Sequence, residues 1–155
     1  MSQVQDSLIH RLEARVLAHL SNSHSLDHWE PSEHDHTWRA LVDAFPHPVA
    51  LFDRQLRHVY ANHATELATG IPADQFIGKK MRDLGHPEMI ARQIEENVAK
   101  AFSSGEARNV QVIFDGPAGT VAYECRFSPQ PNARGEVERV MVISRDVSQS
   151  IKARV

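Results

Sequence analysis

One cysteine, Cys125, is all the thiol the chain holds. It closes no internal disulfide and completes no cysteine zinc site, and it fits a reducing compartment. Charge of one sign is equally scarce: 17 Lys and Arg stand against 20 Asp and Glu, for a formal net charge of -3, and no run exceeds a pair such as Lys79-Lys80. A basic stripe for a phosphate backbone is therefore missing, and no nucleic-acid partner is expected. Long apolar runs are missing as well. The opening "MSQVQDSLIHRLEARVLAHL" carries Asp6, Arg11, Glu13 and Arg15, so it is neither a secretory core nor a membrane span, and a cytoplasmic protein without a membrane partner is expected. Nucleophile motifs, glycine-rich phosphate loops and strong metal spacings do not occur either. His63, Asp53, Glu66 and Tyr123 are acids and bases without a fixed geometry, and Asp53 and Glu66 have ordinary places in a turn and a helix start. No catalytic residue is assigned, and an enzyme is not expected.

What is there is core: 155 residues, 41% of them apolar, suit one globular domain with an accessory segment. Val4, Leu8, Leu12, Val16 and Leu20 recur every fourth residue and make an amphipathic first helix that must bury its stripe. "SNSHSLDHWEPSEHDH" then reads as linker, so 1–36 is taken as helix plus linker. Its His24, His28, His34 and His36 invite a metal, but ten histidines are scattered along the chain and no metal site is assigned. "TWRALVDAF" is a short helix with Trp38, Leu41, Val42 and Phe45 on one side, ended by Pro46 and Pro48.

From there "PVALFDRQLRHVYAN" reads as a hairpin turning at Asp53-Arg54-Gln55. Asn62 follows the second strand as the cap of a helix over 64–69, and Gly70 closes that helix in the left-handed conformation. "PEMIARQIEENVAKAFSSGE" is the longest helix, with Pro87 at its first position, Met89, Ile90, Ile94, Val98 and Phe102 on its apolar face, and Gly105 at its stop. Three strands follow, "RNVQVIFD", "TVAYECRF" and "VERVMVISRDV", with the second and third joined by a loop over Pro129 to Gly135. Two strands, several helices and a three-strand meander make an α+β domain. Val121, Tyr123, Cys125 and Phe127 alternate toward the helices, whereas Val140, Met141, Val142 and Ile143 are apolar without alternation and need cover on both faces. The first helix is the expected cover for the second face.

In their order these segments resemble a PAS domain, a small sensory module of signalling proteins, over 37–148. "FPHPVALFD" is similar to the family's first strand, "VYANHATELATG" to its second strand and asparagine corner, "FIGKKMRDL" to its glycine-containing connector, and "SRDVSQS" to its Asp-Ile-Thr ending. Here that ending is Asp146-Val147-Ser148, which keeps the acid and a hydroxyl.

The resemblance implies a five-stranded antiparallel sheet with helices over one face, enclosing a pocket, preceded by the amphipathic helix. The pocket is expected to bind a small, mostly apolar ligand through Leu67, Phe76, Met81, Met89, Ile94, Tyr123, Cys125 and Phe127. Asn62, Asp146, Val147 and Ser148 are the expected signal relay, leading into a signalling helix that starts at 149–155. A homodimer is expected through Leu8, Leu12, Val16 and Leu20. The cofactor is left open: "ECRF" lies in a strand, unlike the flavin-adduct cysteine of light-sensing relatives, and the long helix has no axial histidine for haem, although His86 just precedes it. The function implied is sensing, relayed to a histidine kinase, diguanylate cyclase or transcription-regulator domain on the same or another chain. The alternative is a ligand-free interaction or dimerisation module.

Overall fold

The computed structural model describes residues 40–117 and 119–148. The expected first helix with its dimer stripe Leu8, Leu12, Val16 and Leu20, the linker histidines, and the signalling helix from 149 all lie outside the described residues.

A helical segment at 40–44 leads into β1 (Val49–Phe52) and β2 (His58–Ala61), then α1 (His63–Thr69), two 3-10 turns at Ala73–Phe76 and Met81–Leu84, and α2 (Glu88–Ser104). β3 (Arg108–Gly116), β4 (Gly119–Pro131) and β5 (Val137–Asp146) complete one five-stranded sheet in the order β2-β1-β5-β4-β3, with every neighbouring pair antiparallel. The last strand thus sits at the centre, beside the first. This is why β5 is apolar on both sides. Val140 and Val142 join Phe52, Val112, Phe127 and the α2 residues Ile94, Val98 and Ala101 in one core, while Met141 and Ile143 join Val49, Leu51 and Tyr60 in a second core on the opposite face. Val42 is fully buried in that second core and Phe45 packs against it, so the 40–45 segment supplies part of the cover assigned above to the first helix. Leu41, expected on the same side, is instead exposed, since it stands about 100° around the helix from the buried Val42.

The hairpin is longer than expected. Asp53 Oδ1 accepts from the backbone N–H groups of Gln55 and Arg57 at 2.9 and 3.0 Å, and Leu56 takes a left-handed φ of 64°. Glycine usually fills that position of such a turn. Leu56 is held there because its side chain packs on the α2-side core. β4 also runs beyond its expected end, through Pro129 to Pro131. β3 pairs with β4 only as far as Phe127, so both prolines lie where one side of β4 is an edge and a missing N–H is tolerated.

α2 begins one residue later than expected, with Pro87 as its cap residue, and stops at Gly105 with φ 69°. Arg82 in the second 3-10 turn forks onto Glu95 of α2, at 3.1 and 2.7 Å, and clamps the connector to the helix. At the other end of the connector, Lys79 O accepts from His58 N–H and His58 O accepts from Gly78 N–H, which covers the outer edge of β2.

Candidate functional site

Between the inner face of the sheet and the helices lies a cavity of about 110 Å³. Each strand contributes by parity. β1 gives Ala50 and Phe52, β3 gives Val112 and Phe114, β4 gives Tyr123 and Cys125, and β5 gives Val142 and Ser144. Thr65, Ala68 and Thr69 of α1, Phe76 and Met81 of the 3-10 turns, and Ile90 and Ile94 of α2 complete the wall, with His58 and His86.

The α1 side of this wall is fixed by Asn62. Its fully buried side chain makes five hydrogen bonds. Oδ1 accepts from Val49 N–H at 2.8 Å, from Thr65 N–H at 3.1 Å and from Thr65 Oγ1 at 2.8 Å, while Nδ2 donates to the carbonyls of Val42 and His47 at 3.0 and 2.9 Å. The expected helix cap is therefore also the knot joining β1, α1 and the 40–47 segment. Gly70 closes α1 at φ 76°. At the end of β3 the backbone comes so close to α1 that a Cβ on Gly116 would lie 2.7 Å from Ala68 O, which only glycine permits.

The polar groups of the cavity are few and mostly engaged. Thr69 Oγ1 donates to Thr65 O at 2.8 Å, and Cys125 Sγ lies 3.3 Å from Ser144 Oγ. Burial pushes the Cys125 thiol up to about 11, outweighing the Ser144 hydrogen bond, so the sulfur stays protonated. His58 Nδ1 donates to Lys79 O at 2.7 Å, while burial lowers the imidazole to about 4 and keeps it neutral at pH 7. Burial also lowers His86, whose ring stands edge-on to Phe114 at 5.8 Å between centroids. Among the described residues, no protein group hydrogen-bonds the buried Nε2 of His86.

Phe76, Met81, Ile94, Tyr123 and Cys125 line the cavity as expected. Three expected residues do not. Phe127 has the right parity but lies deeper in the core, under α2. Leu67 is 69% exposed and lines a shallower outer groove with His47, Tyr123 and Asp146, because the inward positions of the short α1 are taken by Ala64, Thr65 and Ala68. Met89 is 80% exposed: at about 100° per residue it stands roughly 140° around the helix from Ile94. Sequence reasoning missed His58 and His86, and also Val112, Phe114 and Ser144, which the two-residue periods of β3 and β5 could have given.

The relay residues are brought to one end of the β4–β5 ladder, apart from Asn62. Tyr123 pairs with Asp146, Val147 N–H donates to Ala122 O at 2.8 Å, and Ser148 Oγ accepts from Ala122 N–H at 2.9 Å. Asp146 Oδ1 in turn accepts from Ser148 N–H. Asn62 is not part of this ladder: it caps α1, whose Ala64, Leu67 and Ala68 share the outer groove with Tyr123 and Asp146. No group of three or more metal-ligating side chains occurs among the described residues, and none of their helices is long and apolar enough to cross a membrane.

The family model described as the PAS fold matches residues 42–152, and the chain belongs to that family. No curated protein sequence matches it. Among solved structures, the Vibrio cholerae VqmA dimer, described as a LuxR-type receptor in the absence of target DNA, is 20% identical, with 72% of this chain and 50% of that chain covered and a TM-score of 0.66. A phage VqmA in complex with DPO is 14% identical, with 78% and 56% covered and a TM-score of 0.67. A PAS domain from Colwellia psychrerythraea is 16% identical, with 74% and 97% covered and a TM-score of 0.60. The match thus spans about half of the VqmA chains and nearly all of the isolated PAS domain.

Proposed function

We propose that this domain is a sensory module that binds a small organic ligand between sheet and helices and passes the binding event along β4 and β5 to an output. The observation that carries the reading is the continuity of the cavity wall with the exit of the sheet. Tyr123 and Ser144 line the cavity, and Tyr123 pairs directly with Asp146, the residue at which β5 ends. A ligand that shifts either side chain acts on the two hydrogen bonds that clip Val147 and Ser148 to Ala122. The VqmA likeness supports the reading, since one such relative is held with DPO.

The output is a histidine kinase, a diguanylate cyclase or a transcription regulator, reached directly or through a homodimer. Nucleic acid enters through a regulator output and not through this domain's own surface, which carries no basic stripe; a VqmA relative is described in a complex with ligand and DNA. A cytoplasmic setting suits the reduced, buried Cys125. A ligand-free interaction module is the second reading, favoured by exposed Leu67, Ile77, Met89 and Ile113.

A thermal-shift screen of small organic compounds against the wild type and Ile94→Trp separates the two. Compounds that raise the melting temperature of the wild type alone support the ligand reading, because the indole occupies the cavity. A screen in which no compound separates the two proteins supports the interaction module.

A further inference from the structure

We propose that the free edge of β3 pairs with the same edge of a second copy of this chain, antiparallel about a two-fold axis at Val112, so that two five-stranded sheets join into one. The inference goes beyond the sensing reading and holds whether or not the cavity takes a ligand.

The sheet has two edge strands, β2 and β3, and the 77–79 connector covers β2. The direction of the β3 backbone follows from its neighbour. Ala122 sits opposite Ile113, yet its N–H and C=O both bond to Val147 and Ser148, on the β5 side. Ile113 therefore turns its own N–H and C=O away from β4, and the two-residue period puts those of Asn109, Gln111 and Asp115 on the same free side. Gln111 agrees, since its carbonyl accepts from Gln93 Nε2 of α2 at 3.2 Å. Among the described residues no other hydrogen bond reaches that row.

Open edges are usually blunted by a proline, a lysine or a bulge. β3 has none. It runs nine residues, 108–116, in unbroken register with β4 and without Pro or Lys. Apolar surface flanks it on both sides. On the outer face Ile113 is 54% exposed, and on the helix side Met89, one turn before Gln93 and so beside the same edge, is 80% exposed. A strand arriving at β3 covers both.

The strand is also complementary to itself. A two-fold axis perpendicular to the sheet pairs residues of like parity, and at Val112 it uses all nine. On the helix side Val110 then faces the partner's Phe114 and Val112 faces the partner's Val112, pairs of a kind that stabilise sheets. On the other face Asn109 meets the partner's Asp115, and Gln111 meets the partner's Ile113, whose N–H replaces Gln93 on the Gln111 carbonyl. No like charges meet, and the basic start of each strand at Arg108 lies alongside the acidic end of the other at Asp115. One strand pair with its flanks is a small interface, so a weak, concentration-dependent dimer is expected.

Backbone amide exchange by NMR, with sedimentation of the same samples, tests this on the full chain at about 20 µM and about 1 mM. In the wild type the amides of Asn109, Gln111, Ile113 and Asp115 should exchange at least about tenfold more slowly in the concentrated sample, which sediments as a dimer. Those of Val110, Val112 and Phe114, which face β4, should be slow in both. Ile113→Lys sets a charge on the edge, and Ile113→Pro removes an N–H that β4 does not use. Both variants should lose the concentration effect while Val110, Val112 and Phe114 stay slow, which shows that the strand is still folded.

Fast exchange of the four edge amides at both concentrations overturns the inference, and a dimer in that sample places the contact between copies elsewhere. Slow exchange of the four in a sedimenting monomer overturns it too, by giving the edge to another segment of the same chain. So does a concentration effect of equal size in Ile113→Lys.

Discussion

Asn62 Nδ2 donates to the carbonyl of Val42 across twenty positions of sequence, while Oδ1 of the same side chain caps α1 through Thr65 N–H. One amide thus fixes the helix that walls the cavity and the segment that covers the opposite face of the sheet. Asn62→Ala leaves the Val49 and Thr65 donors and the Val42 and His47 acceptors without this partner, in a fully buried position. A loss of about 3 kcal/mol is expected in urea denaturation, since each stranded group costs about 1–3 kcal/mol less any relaxation. Asn62→Asp should do no better, because it replaces both N–H donors with a buried carboxyl facing two carbonyls. A loss under about 0.5 kcal/mol, no more than an ordinary surface substitution gives, would show the knot to be dispensable.

Leu56 gives a reversal of the usual ranking. At φ 64° a non-glycine residue bears about 1–2 kcal/mol of backbone strain, offset here by packing of the leucine side chain. Leu56→Ala loses the packing and keeps the strain, whereas Leu56→Gly loses the packing and relieves it. Glycine should therefore be the more stable of the two variants by about 1 kcal/mol in paired urea melts. Alanine ranking above glycine would contradict the assigned conformation.

How much of this was readable beforehand follows from how local each signal is. The Asn62 cap, the glycine stops at Gly70 and Gly105, the inward set Tyr123, Cys125 and Phe127, and the two-faced apolar run of β5 depend on spacing within one element, and the sequence carries them. The cavity does not depend on one element. His58 became a wall residue only through the pairing of β2 with the 77–79 connector, and His86 only through the docking of α2. Leu67 and Met89 looked like wall residues because they are apolar, but on a seven-residue helix and in a first helical turn the direction of the side chain decides.

Acid should weaken the fold well above the carboxylate range. His58 titrates at about 4 when folded and near 6.5 when unfolded, so the unfolded chain takes up the proton first as pH falls. Its stabilisation is complete above pH 6.5 and is lost progressively down to about pH 4, by on the order of 3 kcal/mol. His47 and His86, also lowered by burial, act in the same direction. Urea denaturation at pH 7.5 and 5.0 should show the loss, and His58→Gln should show a smaller one. Equal slopes in the two proteins would mean that His58 is not buried neutral.

Cys125 should be inert in the folded chain. A thiol at about 11 is only about one part in a thousand thiolate at pH 8, and the residue is 2% exposed. Iodoacetamide at pH 8 should leave it unmodified over hours in buffer and label it fully in denaturing urea, as read by intact mass. Rapid labelling of the native protein would place the sulfur outside the cavity wall.

The sensing function stands or falls with occupancy of the cavity, and native mass spectrometry reads that directly. Freshly purified wild type and Ile94→Trp are compared as isolated and after equilibration with toluene. A ligand-binding domain gives wild type carrying either a defined small mass or the toluene adduct, and Ile94→Trp carrying neither. Bare chains from both proteins under both conditions would contradict it and leave a core without a guest.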